Sequence, residues 1–337
     1  MHIAIVSDAW FPQINGVVRT LSRVQQELQG LGHRVTVISP DLFANLPCPT
    51  YPEIRLAVLP GRRVRRRLDE MRPHAIHIAT EGSLGWAARR YCRRRGFPFT
   101  TSFHTRFPEY VHARCGLPPA WLYALLRRFH GAGAGVMVAT QSIRRDLEAR
   151  GFSNVKDWSR GVDTELFKPR EQEPGVPPPF DLPRPVHLYV GRVAVEKNIG
   201  AFLALDLPGS KVVVGDGPQL KPLRGEYADV LFTGAKHGEE LARHYAAADV
   251  FVFPSRTDTF GLVMLEALAA GVPVAAYPVP GPLDVVDGTG VGVLDEDLKR
   301  AAGNALSIPR QSCRDYALHF SWQRCALQFL DNLAPFR

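Results

Sequence analysis

The sequence contains few cysteines and no long apolar run. Its five cysteines are an odd number without Cys-x-x-Cys spacing, so we expect reduced thiols in a cytoplasmic protein, and neither a disulfide scaffold nor a structural zinc site. No 18-residue apolar stretch occurs, and Asp8 interrupts the first short one, which argues against a membrane-spanning helix and a secretory signal. The 337 residues, 45% hydrophobic and 22% charged, suffice for two globular domains.

Two motifs of ligand-binding proteins are incomplete. Asn15-Gly16-Val17-Val18 and the segment VVVGDGPQLKPL at 212–223 both lack the full Gly-x-Gly-x-x-Gly pattern, which disfavours a nicotinamide cofactor. Gly16 would still let the backbone come close to a phosphate before a helix starts. The acidic stretch Asp295-Glu296-Asp297 is interpreted as the solvated start of a helix rather than as a metal motif at a strand end. We therefore predict no metal site and no bound cofactor.

What the sequence does contain is a regular alternation of short β-branched segments and helical patterns. Apolar residues at helical spacing between two strand-like segments indicate a βαβ unit, which implies a parallel sheet buried on both faces. Strands are predicted at 2–8, 34–40, 75–80, 99–105 and 135–140, and again at 186–192, 211–217, 230–234, 250–255 and 273–277. We predict two α/β domains, each with a doubly wound sheet.

A proline-rich segment separates the two halves. Seven of the eighteen residues at 168–185 are proline, which prevents regular structure and indicates a linker. We predict an N-terminal domain at 1–168, a linker at 169–185, a C-terminal domain at 186–316, and a last segment at 317–337 whose helix packs back toward the N-terminal domain. A ligand is expected in the cleft between the domains.

The strongest functional pattern is PSRTDTFGLVMLEALAAGVPV at 254–274. It predicts a strand end, a loop that carries Asp258, and a helix that starts near Phe260 and contains Glu266. The backbone amides of Phe260 and Gly261 at a helix N-terminus would attract an anion or a sugar hydroxyl. Together with two carboxylates, they suggest a nucleotide-sugar site.

A pair of cations follows an earlier strand. In VGRVAVEKN at 190–198, Arg192 and Lys197 come directly after a predicted strand. An arginine offers a planar fork of donors and a lysine a point charge, a combination that suits a diphosphate.

Structural interpretations of both patterns stay open. Asp258 or Thr259 would then cap the helix, and Glu266 would be a solvated helix residue. In the same way, Arg192 and Lys197 would be ordinary surface residues.

Positive charge is concentrated in the N-terminal half. Residues 1–170 hold 26 Lys and Arg against 13 Asp and Glu, a net charge of +13, whereas residues 171–337 hold 15 against 20, or −5. Composition alone leaves nucleic acid, an anionic membrane and plain solvent open as partners of the basic half.

Three basic segments account for this charge. GRRVRRRLDEMRP at 61–73 has an apolar stripe of Val64, Leu68 and Met71, so it could lie on anionic lipid as an amphipathic helix. RRYCRRRG at 89–96 adds arginines, and a third segment at 118–130 combines arginines with aromatics. Predicted membrane or acceptor contacts are Arg62, Arg63, Arg65, Arg66, Arg67 and Trp121. The alternative is that these segments are crossover helices whose apolar faces pack on the sheet. Nucleic acid is disfavoured because stacking aromatics are not interleaved with the arginines.

Six motifs occur in an order that carries a family resemblance. They are NGVVRT, SFHTRFPEY, SRGVDTELF, VGRVAVEKN, VVVGDGP and PSRTDTFGLVMLEALAAGVPV. This order resembles the retaining glycosyltransferases of family 4, in particular the branch of α-mannosyltransferases and of bacterial enzymes that glycosylate diacylglycerol or phosphatidylinositol. The resemblance spans residue 3 to about residue 285. It implies the GT-B fold, in which two Rossmann-like domains face each other across a cleft.

The resemblance also implies roles in donor binding. Arg192 and Lys197 would bind the donor diphosphate and stabilise the leaving nucleotide, and Gly16 would approach the same phosphates. The loop that starts at Gly215, together with residues 232–236, would contact the nucleotide base.

Further roles concern the sugars. Glu266 would hold the ribose, and Asp258 would bind hydroxyls of the donor sugar beside the amides of Phe260 and Gly261. His104, in SFHTRF, would lie near the reacting centre on the C6 side of the sugar. Most family members have Glu at the position of Asp258, so the shorter carboxylate bears on the choice of donor sugar.

These roles define the function that the sequence predicts. A hexose (glucose, glucuronic acid or mannose) would pass from a UDP- or GDP-sugar to a membrane lipid, 1,2-diacylglycerol, with retention and without a metal, on the inner face of the cell membrane. Charge stabilisation would drive the loss of the nucleotide. One alternative is GDP-mannose-dependent mannosylation of phosphatidylinositol or a soluble glycan. Another, from a different class, is a basic nucleic-acid-binding protein.

Overall fold

The β-branched segments form parallel strands in the structure, a computed structural model. It describes residues 1–13, 15–48, 51–170, 178–258 and 260–337, with the side chains of 51–54, 110 and 113–115 outside the description. The chain divides into two units, which are Met1–Arg160 with Trp322–Arg337, and Gly161–Ser321. Each unit is built on a parallel sheet between helices, which confirms the predicted fold class.

The N-terminal unit contains the first fourteen elements of the chain. They are β1 (His2–Val6), α1 (Gly16–Gly30), β2 (Arg34–Ile38), β3 (Asn45–Cys48), β4 (Tyr51–Ala57), α2 (Gly61–Met71), β5 (Ala75–Ile78), α3 (Ser83–Arg95), β6 (Thr100–Ser102), α4 (Phe107–Cys115), α5 (Pro119–His130), β7 (Gly135–Val138), α6 (Gln141–Ala149) and β8 (Val155–Asp157).

The sheet of the N-terminal unit runs in the order β2-β1-β5-β6-β7-β8. Strand order reverses between β1 and β5, where Ile3 pairs with Ala75 and Val6 with Ile78. The strands β3 and β4, which the sequence pattern did not predict, form a separate antiparallel pair. Helix α1 buries the residues that were expected to face the sheet, among them Leu21 and Leu28.

The C-terminal unit repeats the alternation. Its elements are β9 (Val186–Val190), α7 (Ile199–Leu203), β10 (Ser210–Val214), α8 (Leu220–Glu226), β11 (Leu231–Gly234), α9 (Gly238–Ala246), β12 (Val250–Phe253), α10 (Leu262–Ala269), β13 (Val274–Ala276), α11 (Pro282–Val285), β14 (Gly292–Leu294), α12 (Leu298–Ala305) and α13 (Arg310–Ala317).

The sheet of the C-terminal unit runs in the order β11-β10-β9-β12-β13-β14. Counted within the unit this is 3-2-1-4-5-6, the order of dinucleotide-binding folds, in which ligands bind where the order reverses. The reversal lies between β9 and β12, and Leu188 pairs there with Phe251. The carboxyl ends of these two strands are therefore the expected binding edge.

The last helix, α14 (Trp322–Asn332), belongs to the N-terminal unit. Cys325 and Phe329 are fully buried, and the indole N–H of Trp158 donates to the Cys325 carbonyl at 3.2 Å. The rings of Trp158 and Phe329 lie 5.1 Å apart. Cys325 is also a buried thiol, like Cys92 and Cys313.

The division between the units falls at Arg160, eight residues before the predicted end of the N-terminal domain. The difference arises because Phe167 packs on the C-terminal unit. Its ring lies 5.6 Å from that of Tyr245, and its carbonyl accepts from Arg314 at 2.8 Å. Of the predicted linker at 169–185, residues 171–177 lie outside the described residues.

Candidate functional site

The reversal point of the C-terminal sheet brings two predicted segments together. The loop after β9 carries Arg192 and, in one turn of 3-10 helix, Lys197. The loop after β12 carries Asp258 and leads into α10. Because the carboxyl ends of neighbouring parallel strands meet at one edge of a sheet, the predicted cations and carboxylate occupy the same edge.

Hydrogen bonds between described residues join the two loops. Lys197 Nζ donates to Asp258 Oδ1 at 2.5 Å, Asn198 Nδ2 donates to the Pro254 carbonyl at 3.0 Å, and the Thr257 hydroxyl donates to the Glu196 carbonyl at 3.2 Å. The Asp258 side chain is 17% exposed, whereas that of Lys197 is 26% exposed. The geometry thus holds both charged groups in place at the edge of the sheet.

The second carboxylate oxygen of Asp258 differs from the first in its surroundings. This atom, Oδ2, is buried and has no hydrogen-bond partner among the residues that the structure describes. A buried carboxylate oxygen that lacks a donor is costly. A hydroxyl of a bound ligand would remove that cost.

Arg192 is more open to solvent than Lys197. Its side chain is 39% exposed, and Nη1 lies 4.0 Å from a Glu196 carboxylate oxygen. Its carbonyl accepts a hydrogen bond from the Tyr189 hydroxyl at 2.8 Å, which anchors the backbone while the guanidinium extends outward. Burial raises the pKa of Tyr189, so this phenol keeps its proton at neutral pH.

Gly261, the residue directly before α10, occupies a position that few other residues could adopt. Gly261 has φ of +84°, and a Cβ there would lie 2.8 Å from Met264 Cε. No side chain caps α10 within the described part of the loop. The interpretation of Asp258 as the cap is therefore wrong, because its carboxylate is bound to Lys197 instead. Thr259, the other suggested cap, lies outside the described residues.

Glu266 lies inside the protein, on α10. Its side chain is 3% exposed, and Oε2 accepts a hydrogen bond from the Tyr245 hydroxyl at 2.9 Å. The alternative that Glu266 is a solvated helix residue is wrong. A buried glutamate that is held by a buried tyrosine is a precisely oriented acceptor, as binding of a ribose would require.

Close backbone contacts explain why glycines occur in the loop after β10. A Cβ on Gly215 would lie 1.8 Å from the Gly191 carbonyl, and one on Gly217 would lie 2.4 Å from the Val193 carbonyl. The close approach of this loop to the loop after β9 thus explains Gly215 without a ligand, and its contact with a nucleotide base stays a prediction.

In the N-terminal unit, Gly16 is the first residue of α1. The Asn15 carboxamide caps this helix, accepting from the amides of Val17 and Val18 at 3.0 Å each. A phosphate at these amides would have to displace Asn15. The approach of Gly16 to a phosphate stays a prediction.

His104 follows β6 at the carboxyl edge of the N-terminal sheet and is half-buried. Its Nδ1 lies 3.4 Å from Arg160 Nη2, and its ring is edge-on to Trp158 at 5.7 Å. Burial, followed by the charge of Arg160, lowers the pKa of His104 well below its usual value. The ring is therefore neutral at physiological pH.

The apolar stripe predicted for membrane contact is not on the surface. Val64 and Leu68 of α2 are fully buried in the core, and Met71 packs against the same cluster. The interpretation of α2 as an amphipathic helix with a free apolar face is wrong, because that face packs into the core of the N-terminal unit.

The arginines of α2 do face solvent. Arg62, Arg63, Arg65 and Arg66 are exposed, and Arg67 is partly so. Trp121, on α5, is 72% exposed. In the second basic segment, Arg89 is buried and donates to the carbonyls of Phe129 and Arg128 at the end of α5.

The acidic stretch at 295–297 follows strand β14, contrary to the expectation that it lies away from a strand end. Its carboxylates are engaged with the chain itself. Asp295 binds Arg300, and Asp297 caps α12 by accepting from the amides of Lys299 and Arg300. Among the described residues, no three His, Cys, Asp or Glu side chains are arranged to hold a metal ion.

Comparison with known proteins identifies the family. The model described as Glycosyltransferase Family 4 matches residues 14–166, and that described as Glycosyl transferases group 1 matches residues 184–308. A GDP-mannose-dependent alpha-mannosyltransferase of Mycobacterium tuberculosis is 30% identical over 318 residues, which cover 87% of this chain and 83% of that protein. The chain belongs to glycosyltransferase family 4. It is a glycosyltransferase.

Two further proteins are similar to this glycosyltransferase. An alpha-monoglucosyldiacylglycerol synthase of Streptococcus pneumoniae is 28% identical, with 83% of this chain and 72% of that protein covered. A sucrose-phosphate synthase structure from Thermosynechococcus elongatus superposes with a TM-score of 0.78 at 22% identity, covering 98% of this chain and 97% of that one. The glycosyltransferase has the GT-B fold.

Three residues that take part in these contacts were not assigned a role from the sequence. Tyr245 orients Glu266, Asp8 closes the start of α3, and Arg160 contacts His104. Asp8 ends the first predicted strand, and Arg160 is the second residue of the motif SRGVDTELF; these were the available signals. No helix within the described residues is long and apolar enough to cross a membrane.

Proposed function

We propose that this glycosyltransferase moves a hexose from a nucleotide diphosphate sugar to 1,2-diacylglycerol at an anionic membrane surface, with retention and without a metal ion. The observation that carries the proposal is the placement of Arg192, Lys197 and Asp258 at the carboxyl ends of β9 and β12. Cations beside an oriented carboxylate fit a ligand that is anionic at one end and rich in hydroxyls at the other.

The cations would stabilise the leaving nucleotide diphosphate. Lys197 Nζ donates a hydrogen bond to Asp258 Oδ1. The same bond orients Lys197 toward the edge where a phosphate would lie. Arg192 would add a planar fork, and the N-terminal amides of α10 a positive dipole end. Negative charge that develops as the glycosidic bond breaks is then balanced by groups already in place.

Two carboxylates would recognise hydroxyls. The buried Asp258 Oδ2 would accept from a hydroxyl of the hexose, which is glucose, glucuronic acid or mannose in this proposal. Glu266, oriented by Tyr245, would accept from the ribose. Retention would follow from attack of the acceptor hydroxyl on the face that the nucleotide leaves, with a donor phosphate oxygen as base.

The acceptor part of the proposal is supported by the exposed arginines of α2 and by a relative's name. Each Arg near an anionic membrane contributes about 1 kcal/mol of attraction, and four of them are exposed on one helix. With its apolar stripe buried, α2 would bind lipid headgroups by charge and would not insert. The relative from S. pneumoniae is named for the synthesis of a monoglucosyl diacylglycerol.

A second candidate is GDP-mannose-dependent transfer of mannose to phosphatidylinositol or a soluble glycan. It is favoured by the 30% identity to the M. tuberculosis enzyme that is named for GDP-mannose. Its chemistry at Arg192, Lys197 and Asp258 would be the same.

A donor and acceptor panel tests both candidates. UDP- and GDP-hexoses are incubated with vesicles that contain diacylglycerol or phosphatidylinositol, or with soluble glycans, with and without EDTA. The proposal expects EDTA-resistant transfer to diacylglycerol and an unchanged anomeric configuration by NMR. Transfer to phosphatidylinositol or a glycan alone would replace it with the second candidate, and loss of transfer in EDTA would contradict metal independence.

The membrane part is tested with matched charge variants. Arg62→Gln/Arg65→Gln/Arg66→Gln is expected to weaken binding to anionic vesicles by about 10²-fold, from three contacts of about 1 kcal/mol each. The control Lys221→Gln/Arg224→Gln/Arg243→Gln removes the same charge from the C-terminal unit. Equal loss in both variants would contradict a role for α2.

A further inference from the structure

Arg160, the second residue of the motif SRGVDTELF, follows β8 at the carboxyl edge of the N-terminal sheet, and its contacts are unusual for an arginine. The side chain is 5% exposed. Nη1 donates to the carbonyls of Trp158 and Ser159 at 2.7 and 3.1 Å, and the guanidinium lies 4.4 Å from the centre of the Trp158 ring. Carbonyl dipoles and an aromatic face thus offset part of the cost of burying this cation.

The second guanidinium nitrogen reaches a histidine. Arg160 Nη2 lies 3.4 Å from Nδ1 of His104, which follows β6 on the same edge. Trp158 braces both partners, because its ring also meets the His104 ring edge-on at 5.7 Å. The indole is itself fixed by its hydrogen bond to the Cys325 carbonyl.

The direction of this hydrogen bond follows from chemistry. A guanidinium can only donate, and it keeps its proton here because burial lowers the pKa of Arg160 only to about 10. Nδ1 of His104 must therefore be the acceptor, and a neutral imidazole that accepts at Nδ1 carries its proton on Nε2. His104 is kept neutral by burial and by the neighbouring cation.

We propose that Arg160 is a positioning residue that fixes His104 as the Nε2–H tautomer, so that His104 acts on a substrate oxygen as a hydrogen-bond donor and not as a general base. Only the part that concerns the substrate oxygen rests on the proposed function. The tautomer itself is a property of the ligand-free protein.

The tautomer is measured on the full chain labelled with ¹⁵N-histidine and without ligand. Long-range ¹H–¹⁵N correlations distinguish a protonated ring nitrogen from a bare one, and the His104→Asn variant assigns the signal. We expect bare Nδ1 and protonated Nε2 at neutral pH. A proton on Nδ1, or on both nitrogens, overturns the proposal without any change to Arg160.

Two variants of Arg160 distinguish the effect of its N–H donor from the effect of its positive charge. Arg160→Met removes both and is expected to release Nδ1, so that the other tautomer becomes populated and turnover falls roughly tenfold to a hundredfold through misplacement of the ring. Arg160→Gln keeps an N–H donor and is expected to preserve more of the Nε2–H form and of turnover than Arg160→Met. An unchanged His104 tautomer in Arg160→Met overturns the proposal.

A double-mutant cycle tests whether Arg160 acts through His104. In a His104→Asn background, Arg160→Met is expected to cause no further loss of turnover, since coupled residues are not additive. Additive losses would assign Arg160 a merely structural role and overturn the proposal. If no lipid or glycan accepts sugar but the tautomer is as expected, the proposed function fails and the assignment of the tautomer stands.

Discussion

The two units contain similar parallel sheets, but different side chains lie at the points where the strand order reverses. Between β1 and β5 in the N-terminal unit, the Asp8 carboxylate accepts from the amides of Leu84 and Gly85 at the start of α3, at 3.0 and 3.4 Å. Between β9 and β12 in the C-terminal unit, no side chain caps α10 in the part of the loop that the structure describes, and Lys197 lies beside Asp258.

The difference indicates which crevice can take an anion. A helix N-terminus attracts negative charge, and in α3 that attraction is already satisfied by Asp8, which also accepts from the Thr80 hydroxyl at 2.9 Å. Burial raises the pKa of Asp8, and the hydrogen bonds oppose that rise. The C-terminal edge offers cations instead. The reversal point between β1 and β5 thus holds a structural contact, whereas the one between β9 and β12 is a candidate donor site.

The largest expected effect comes from removing the central cation of the C-terminal edge. Lys197→Ala is expected to lower transfer by about 10²–10³-fold, as for the loss of one group that stabilises developing charge. The matched control is Lys299→Ala, a lysine of the same unit that pairs with Asp206 on the surface. Steady-state rates with a saturating donor check the prediction, and turnover retained in Lys197→Ala would contradict its phosphate role.

The next largest effect is expected from removing the contact between the Asp8 carboxylate and the start of α3. Asp8→Ala leaves the buried amides of α3 without their acceptor and is expected to lower the free energy of unfolding by about 2–3 kcal/mol. All five tryptophans lie in the N-terminal unit, so tryptophan fluorescence in urea follows this unit alone. The affinity for UDP or GDP, measured by calorimetry, is expected to stay unchanged. Weaker binding would indicate that the nucleotide binds at the carboxyl edge of the N-terminal sheet, which would contradict a site at β9 and β12.

A smaller effect is expected from a change at Asp258, the carboxylate of the C-terminal unit. Asp258→Glu moves the carboxylate outward by one methylene and is expected to change the preference among glucose, glucuronic acid and mannose donors by about tenfold to a hundredfold. The ratio of kcat/KM values for these donors is the measurement. An identical donor ranking in the variant would mean that Asp258 does not contact the sugar.

A last effect, small near neutral pH, concerns the acid stability of the N-terminal unit. His77 is fully buried between the hydroxyls of Thr100 and Ser102, and burial lowers its pKa to about 3. Below the unfolded value of about 6.5, the unfolded chain binds the proton that the folded chain excludes, so stability falls by about 1.4 kcal/mol per pH unit for this residue. His77→Gln should flatten the pH slope of unfolding in tryptophan fluorescence; an unchanged slope would contradict this assignment.

The sequence predicted the sheet strands well because each is a β-branched run that must be buried on both faces. It missed β8 and β14, which are three residues long, and the β3–β4 pair. Length alone does not explain these omissions, because β6 and β13 are equally short and were predicted. The missed β8 (VKD) and β4 (YPEIRLA) contain charged residues among their apolar ones, so no uninterrupted apolar run marks them as buried strands.

Side-chain environment was harder to predict than position. The spacing of Val64 and Leu68 was read correctly as a helix face, but periodicity does not say whether that face meets a membrane or the protein's own sheet. Likewise, the burial of Glu266 and the Lys197–Asp258 contact depend on strand order, which only the folded chain defines.

The most direct test of the central claim is a crystal structure of this glycosyltransferase with UDP or GDP bound. We expect the diphosphate to lie within hydrogen-bonding distance of Arg192 and Lys197, at the carboxyl ends of β9 and β12. A nucleotide bound at the start of α3, or one whose phosphates contact neither cation, would contradict it.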